Sequence, residues 1–261
     1  MGQDEPQGVL MEVVFLGTGC GVPSKRRASP ALLIEIKEKP FLFDSGPGSL
    51  RRLHEAGIKW NDLTHIFYTH FHVDHIGDLP AILFAAKNPE DLREKDLVIL
   101  GPKGLKDFYA QLLRLYGDQI ISSHYKVNIE EMEDKEEREF EGIKIFTRTL
   151  QHTPRSLGYR IEDAGGKAIV YSGDTDYCRE LVLLAQDADL AIFESSFPDK
   201  MKVSGHLTPP LACKMAQEAG CKRLVLTHFY PICEGYDLFE EMKGIFRGEL
   251  ILAEDLMKVR V

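Results

Sequence analysis

Ten residues, Thr69 to Asp78, read Thr-His-Phe-His-Val-Asp-His-Ile-Gly-Asp, three imidazoles and two carboxylates in one short stretch. The stretch follows the apolar run Ile66-Phe67-Tyr68 and precedes the helix-like run Leu79 to Ala86. Ordinary core packing does not call for so many ligand-type side chains. If strand geometry continues past Tyr68, His70 and His72 leave the same face and can grip one metal ion. Asp74 and His75 come where the chain must turn, and can reach a second ion beside the first.

These residues need elements to hold them. Apolar runs read as strands at Leu10–Leu16, Ala31–Ile36, Phe41–Asp44, Leu97–Leu100, Ile143–Thr147, Leu157–Ile161, Ala168–Tyr171, Leu190–Phe193, Leu224–Leu226 and, last, Leu250–Ala253. Helical patterns fall at Ser49–Ala56, Leu79–Lys87, up to about Tyr116, Leu181–Ala185, Thr208–Ala219 and Leu238–Phe246. His70, His72, Asp74, His75, His152, Asp174, Glu194 and His228 all follow strand ends, and in open α/β sheets ligands gather at one edge of the strands. The two halves echo one another faintly, too faintly for a sequence repeat.

The remaining polar clusters allow two readings each. Gly17-Thr18-Gly19-Cys20-Gly21 is either a phosphate cradle or a tight loop at a strand end. Lys25-Arg26-Arg27 is either a solvated face or a hold on an anionic substrate. Asp44 is either a partner to a histidine ligand or a turn or cap residue. Lys37-Glu38-Lys39-Pro40 reads as a hairpin turn, and the acid-rich Glu130–Glu141 as a solvated loop or hairpin edge. His54 and His65 read as structural.

The chain has 261 residues, 44% hydrophobic and 28% charged, which suits a globular protein, taken here as a single domain spanning 1–261. A net charge of −9 and a pI near 5.5 exclude a surface basic all over, so nucleic acid would have to be met by a local patch or by metal ions. The five cysteines show no paired spacing, which argues against a disulfide framework; Cys213 and Cys221 read as small core residues. Residues 1–8 are polar, unlike a signal peptide, and no apolar run is long enough to span a membrane. The expectation is a cytoplasmic protein with no membrane partner.

Histidine and aspartate ligands could build two sites of nitrogen and oxygen donors, which suits two zinc ions better than magnesium or calcium; manganese or iron would also fit. Two adjacent ions support metal-assisted hydrolysis, and no other cofactor is required. Asp174 is the natural bridge, with an oxygen for each ion, and Asp74 can ligate and also orient or deprotonate the water. His206, with Glu194 upstream, is a candidate proton donor or oxyanion clamp; a hydrogen-bonded neighbour of the helix cap at Thr208 is the other reading. A serine nucleophile fails for want of a Gly-x-Ser-x-Gly elbow.

Thr-His-x-His-x-Asp-His at 69–75, His152, Ser-Gly-Asp-Thr at 172–175 and Leu-Thr-His at 226–228 resemble, in order, the ligand set of the metallo-β-lactamase superfamily. Phe-Leu-Gly-Thr-Gly at 15–19, Ser-Leu-Gly-Tyr-Arg-Ile-Glu at 156–162 and Gly-His-Leu-Thr at 205–208 resemble its ribonuclease Z and arylsulfatase-like phosphodiesterase branch. The resemblance implies an α/β fold, a four-layer αβ/βα sandwich with a di-metal site at the edge shared by its sheets. It implies that His70, His72 and His152 hold one zinc, that Asp74, His75 and His228 hold the other, and that Asp174 bridges them. His206 matches the histidine near the leaving group, and homodimers are common in the family. Ribonuclease Z carries a long tRNA-binding arm between the third histidine and the bridging aspartate. Here 22 positions separate His152 from Asp174, and two strands fill them. The loop at 23–27 also lacks the asparagine usual after the basic residues. The expected activity is therefore phosphodiester hydrolysis on a small anionic substrate, with RNA less favoured. The alternatives are true tRNA 3′ processing, a sulfate ester or lactone substrate, or a binding protein with structural metals.

Overall fold

The computed structural model describes residues 10–140 and 142–261. The polar start at 1–8 and Glu141 of the acidic run lie outside them. The chain divides into two compact units, one of Glu12–Met132 with Glu254–Val259, the other built on Glu133–Ala253 with Arg260–Val261.

In the N-terminal unit the chain runs β1 (Met11–Gly17), β2 (Ala31–Ile36), β3 (Lys39–Phe43), α1 (Ser49–Glu55), β4 (His65–Phe67), α2 (Val73–Ile76), α3 (Leu79–Ala85), β5 (Leu97–Pro102), α4 (Leu105–Tyr116) and β6 (Val127–Met132). β2 and β3 pair antiparallel, and β3, β4, β5 and β6 follow one another in parallel. Parallel strands are covered on both faces, so they read as nearly unbroken apolar runs rather than alternations. One face of this sheet, with Val14, Leu16, Leu33, Leu42, Ile66 and Ile99, packs on Leu53 of α1, Leu79, Ile82 and Leu83 of α3 and Leu105 of α4. The residues between them, Phe15, Leu32, Ile34, Phe43 and Phe67, are buried too. Each such side chain contributes about 1.5–3 kcal/mol by leaving water.

The C-terminal unit repeats the plan: β7 (Glu137–Phe140), β8 (Ile143–Thr149), β9 (Leu157–Glu162), β10 (Ala168–Tyr171), α5 (Arg179–Leu184), β11 (Leu190–Glu194), α6 (Pro209–Glu218), β12 (Arg223–Thr227), α7 (Leu238–Met242) and β13 (Glu249–Leu252). β7, β8, β9 and β10 pair antiparallel, and β10 to β13 run parallel. Val170, Ala191, Phe193, Leu224 and Leu226 pack on Leu181 and Leu184 of α5, Ala212, Cys213, Met215 and Ala216 of α6, and Leu238 and Met242 of α7. Pro209 and Pro210 open α6, where missing backbone N–H groups cost nothing. A last strand, β14 (Lys258–Arg260), lies beside β1. Among the described residues the sheets run β14-β1-β2-β3-β4-β5-β6 and β7-β8-β9-β10-β11-β12-β13, two mixed seven-stranded sheets, each flanked by helices.

Four expectations need correction. The turn between β2 and β3 is only Lys37-Glu38, and Lys39 and Pro40 already belong to β3. Of the acidic run, Glu137 and Glu139 lie in β7, which pairs antiparallel with β8 as a hairpin edge, but Glu130 and Glu131 lie in β6 and not in a loop; each is an end strand of its own sheet, where charges guard the open edge. The helix expected over Leu238–Phe246 stops at Met242. Leu250–Ala253 is not the last strand, since β14 follows it. All five cysteines are free and buried, as expected without a disulfide framework.

Candidate functional site

β4 ends at Phe67, so His70 and His72 stand in a loop, not on an extended strand. The loop still turns His70 Nε2 and His72 Nδ1 towards each other, 3.0 Å apart. Asp74 and His75 ride on α2, which sits close against two glycines. A Cβ on Gly46 would lie 2.0 Å from the Asp74 carbonyl oxygen, and one on Gly21 would lie 3.3 Å from Asp74 Cβ. At Gly17 an added Cβ would meet Ser29 O at 1.9 Å, so glycine there serves close backbone approach, the tight-loop reading.

Asp44, the first residue after β3, is fully buried and has φ 56, the left-handed region. Its Oδ1 accepts the Thr69 N–H at 2.8 Å, and its Oδ2 accepts from His75 Nδ1 at 2.8 Å. The Thr69 hydroxyl donates to the same carboxylate at 3.0 Å, which leaves Thr69 Oγ1 to accept from His70 Nδ1 at 3.0 Å. Of the two readings of Asp44, the geometry selects the partner to a histidine. His65 stacks on Phe41 at 5.1 Å and His54 sits exposed on α1, both apart from this cluster.

In the C-terminal unit Asp174 lies past the end of β10, 3% exposed. Its Oδ1 is 3.2 Å from His228 Nε2, and its Oδ2 is 3.7 Å from His152 Nε2 and 3.9 Å from His206 Nδ1. His228 follows β12 with φ 62. Its Nδ1 is 2.9 Å from Ser196 Oγ, which donates to Glu194 Oε2 at 2.5 Å. Glu194 Oε1 accepts the Thr175 N–H at 2.8 Å and faces His206 Nδ1 at 3.0 Å. His152 Nδ1 donates to the Gly205 carbonyl at 2.8 Å.

These contacts fix the tautomers. In His70, His75, His152 and His228 the Nδ1–H is committed to an oxygen, so Nε2 carries the lone pair that a metal takes. Ligand atoms on a tetrahedral ion with bonds of about 2.0–2.1 Å lie roughly 3.3 Å apart. The 3.0 Å between His70 and His72 and the 3.2 Å between Asp174 and His228 are near that spacing. Asp174, His206 and His228 alone bring three donor atoms within 4.8 Å. Neutral imidazoles and carboxylates suit a divalent ion, and the chain carries a site of that kind. Burial pushes the thiols of Cys213 and Cys221 up to about 12, which keeps them protonated and out of the ligand set.

Thr69, Ser196 and the Gly205 carbonyl went unread in the sequence. The signal for the hydroxyls was their place beside a ligand, in Thr69-His70 and Glu194-Ser195-Ser196; nothing marks a backbone carbonyl.

Residues 40–229 match the family described as the beta-lactamase superfamily domain. Ribonuclease Z of Lactococcus lactis subsp. lactis is 31% identical over an alignment 275 positions long, gaps included, that covers 84% of this chain and 88% of that protein. The crystal structure of human tRNase Z, short form, superposes with a TM-score of 0.77 at 28% identity, covering 95% of this chain and 98% of that one. The metallo-beta-lactamase fold protein YhfI from Bacillus subtilis gives a TM-score of 0.84 at 24% identity over 97% of this chain and 100% of its own, a likeness of fold. The α/β class and the αβ/βα type of sandwich expected from the motifs are therefore those of the chain. It belongs to the metallo-β-lactamase superfamily, in the ribonuclease Z branch.

Proposed function

We propose that the chain is a metal-dependent hydrolase of phosphodiester bonds, a single functional domain in which His70, His72 and His152 hold one ion, Asp74, His75 and His228 a second, and Asp174 bridges them. The observation that carries this reading is the common orientation of four histidines, each with Nδ1 donated to an oxygen and Nε2 left for coordination. Nitrogen and oxygen donors at this spacing favour zinc, with manganese or iron as substitutes. When bound, such ions supply a hydroxide at neutral pH and polarise the phosphoryl group. Asp74 orients the attacking water. The Glu194 carboxylate, held by the Thr175 and Ser196 N–H groups, keeps a proton on His206 Nδ1 and directs Nε2 to the leaving oxygen. Lys25, Arg26, Arg27, Arg51 and Arg52 line a cavity of about 290 Å³ with one acid, Asp255, which pairs with Arg52, and the surplus of cations supports an anionic substrate.

The short connection between His152 and Asp174 supports a small diester over tRNA. It consists of a four-residue loop-and-turn, β9, a tight turn and β10, with no room for an arm. The 275-residue alignment with the Lactococcus protein is longer than this whole chain, so that relative has segments without a counterpart here. Among the described residues no helix is long and apolar enough to cross a membrane. A cytoplasmic homodimer is the setting proposed.

The test uses the purified chain, with metal analysis and turnover of bis-aryl phosphate, aryl sulfate, lactone and a pre-tRNA with a 3′ trailer. About two ions per chain and preferential turnover of the phosphate diester are expected. Asp74→Ala should lower kcat about 10²–10⁴-fold with Tm little changed, since Asp74 is only half-buried. Active protein free of metal would overturn the reading, and faster cleavage of the aryl sulfate or lactone would replace the substrate class.

A further inference from the structure

We infer that Phe197 and Tyr230 form a stacking subsite for a nucleobase carried by the phosphodiester, an inference that rests on the hydrolase reading above. The two rings stack with centroids 4.3 Å apart and planes 27° from parallel. Both side chains are half-buried, although the aromatics of the neighbouring strand and loop, Phe193 and Phe229, are fully covered. The pair stands at the histidines: Phe197 is 5.8 Å from His206, nearly edge-on, and Tyr230 is 6.2 Å from His206 and 6.0 Å from His228. A base is carried a few ångström from its phosphate, so a diester placed at His206 and His228 would bring its base to these rings.

The position of the rings is built into the backbone. Each precedes a proline, Pro198 or Pro231, which confines the aromatic residue to extended geometry; Tyr230 has φ −71 and ψ 151. The Tyr230 N–H donates to Ser196 O at 3.2 Å, and Cys233 Sγ donates to the same carbonyl at 3.3 Å, tying the loop after β12 to the loop after β11. Little freedom is left to lose when a third ring joins the stack. Ile232 and Tyr236, in the segment that follows Tyr230, are exposed, as is Met201, with Tyr236 Oη against Met201 Sδ at 3.6 Å. Stacking on an aromatic ring reads no base sequence, because every base has a π-face.

The test compares two diesters that release the same p-nitrophenol, thymidine 5′-(p-nitrophenyl phosphate) and ethyl p-nitrophenyl phosphate, with metal-loaded full-length protein. The wild type should favour the thymidine ester in kcat/KM. Phe197→Leu and Tyr230→Leu keep apolar volume but lose the ring, and each should reduce that preference about tenfold, whereas Phe197→Tyr and Tyr230→Phe should keep it. An equal loss on both esters, leaving the ratio unchanged, would make the pair a packing element and overturn the proposal. Should a leucine variant not fold, the wild type decides alone: no preference for the base-bearing ester overturns it. If no diester is cleaved, the hydrolase reading fails separately, and calorimetric binding of thymidine 5′-monophosphate tests the stack. Binding about tenfold weaker in the leucine variants supports it, and unchanged or absent binding sinks it.

Discussion

Asp44 concentrates more of the site than its distance from the histidine motif in sequence suggests. One fully buried carboxylate takes the Thr69 N–H, the Thr69 hydroxyl and His75 Nδ1, and through Thr69 it also sets the tautomer of His70. Removing it would leave buried donors without acceptors and free two imidazoles to rotate. Asp44→Ala is therefore expected to cost about 3 kcal/mol of stability and to weaken metal binding 10–100-fold. Asp44→Asn keeps the shape and tolerates the left-handed φ, and should fold better than the alanine variant while still binding metal weakly, because an amide satisfies fewer of the donors. Denaturant melts with metal titration of both variants check this, and equal metal affinity in Asp44→Asn and wild type would refute the orienting role. The ligand-type residues were legible because histidine and aspartate at strand ends stand out from apolar surroundings. Thr69 and Ser196 were not, because a hydroxyl beside a histidine is common and only geometry shows where it points.

Among the elements, each unit sets a residue with positive φ next to its cluster directly after a parallel strand: Asp44 after β3 and His228 after β12. Strain at such positions persists only where the surroundings hold it, here by the carboxylate contacts of Asp44 and the Ser196 contact of His228. The strand order was only a faint echo in sequence, yet in each unit an antiparallel pair, β2-β3 or β9-β10, opens into three further parallel strands. Periodicity found the buried parallel strands because they are continuous apolar runs. It missed β6 and β7, whose acids break the apolar pattern at the sheet ends, and overextended α7, whose apolar residues continue beyond its last turn. The β2-β3 turn carries a different strain. Lys37 and Glu38 both have positive φ, 52 and 63, as a two-residue hairpin turn demands, but neither is a residue that favours it. Lys37→Asn with Glu38→Gly should stabilise the chain by roughly 1 kcal/mol, read as a higher midpoint in urea with metal binding unchanged. A lower midpoint would mean that the side chains contribute more than the backbone strain costs.

For the molecule as a whole, the last residues return to where the chain began. After β13 of the C-terminal unit, Glu254–Val259 belong to the N-terminal one, and β14 lies beside β1. Asp255 makes the junction: Oδ1 accepts the Thr18 N–H at 2.9 Å and the Thr18 hydroxyl at 2.6 Å, while Oδ2 accepts the Ala28 N–H at 2.7 Å and Arg52 Nη2 at 2.5 Å. Arg52 also donates to Leu16 O at 3.0 Å, and Arg27 to Thr18 Oγ1 at 2.6 Å, so one carboxylate holds the glycine loop, the basic loop and α1 together. No periodicity exposes this, since β14 is only three residues long and its anchor is a single acid. The Asp255 side chain is 7% exposed, and removing it leaves the Thr18 and Ala28 N–H groups without their acceptor, although Arg52 keeps Glu55 at 2.6 Å. Asp255→Ala should cost about 3 kcal/mol and lower Tm by roughly 6–12 °C, whereas cutting the pair Lys258–Glu12 at its half-exposed lysine, by Lys258→Ala, should cost under about 1 kcal/mol. Deleting residues 254–261 adds the loss of β14 and uncovers β1 as an edge strand, so it should also cause aggregation on refolding. Calorimetry and light scattering on the three variants separate the effects. A deletion no less stable than Asp255→Ala, and no more prone to aggregate, would show that the carboxylate alone fastens the chain's end and that the strand pairing adds nothing.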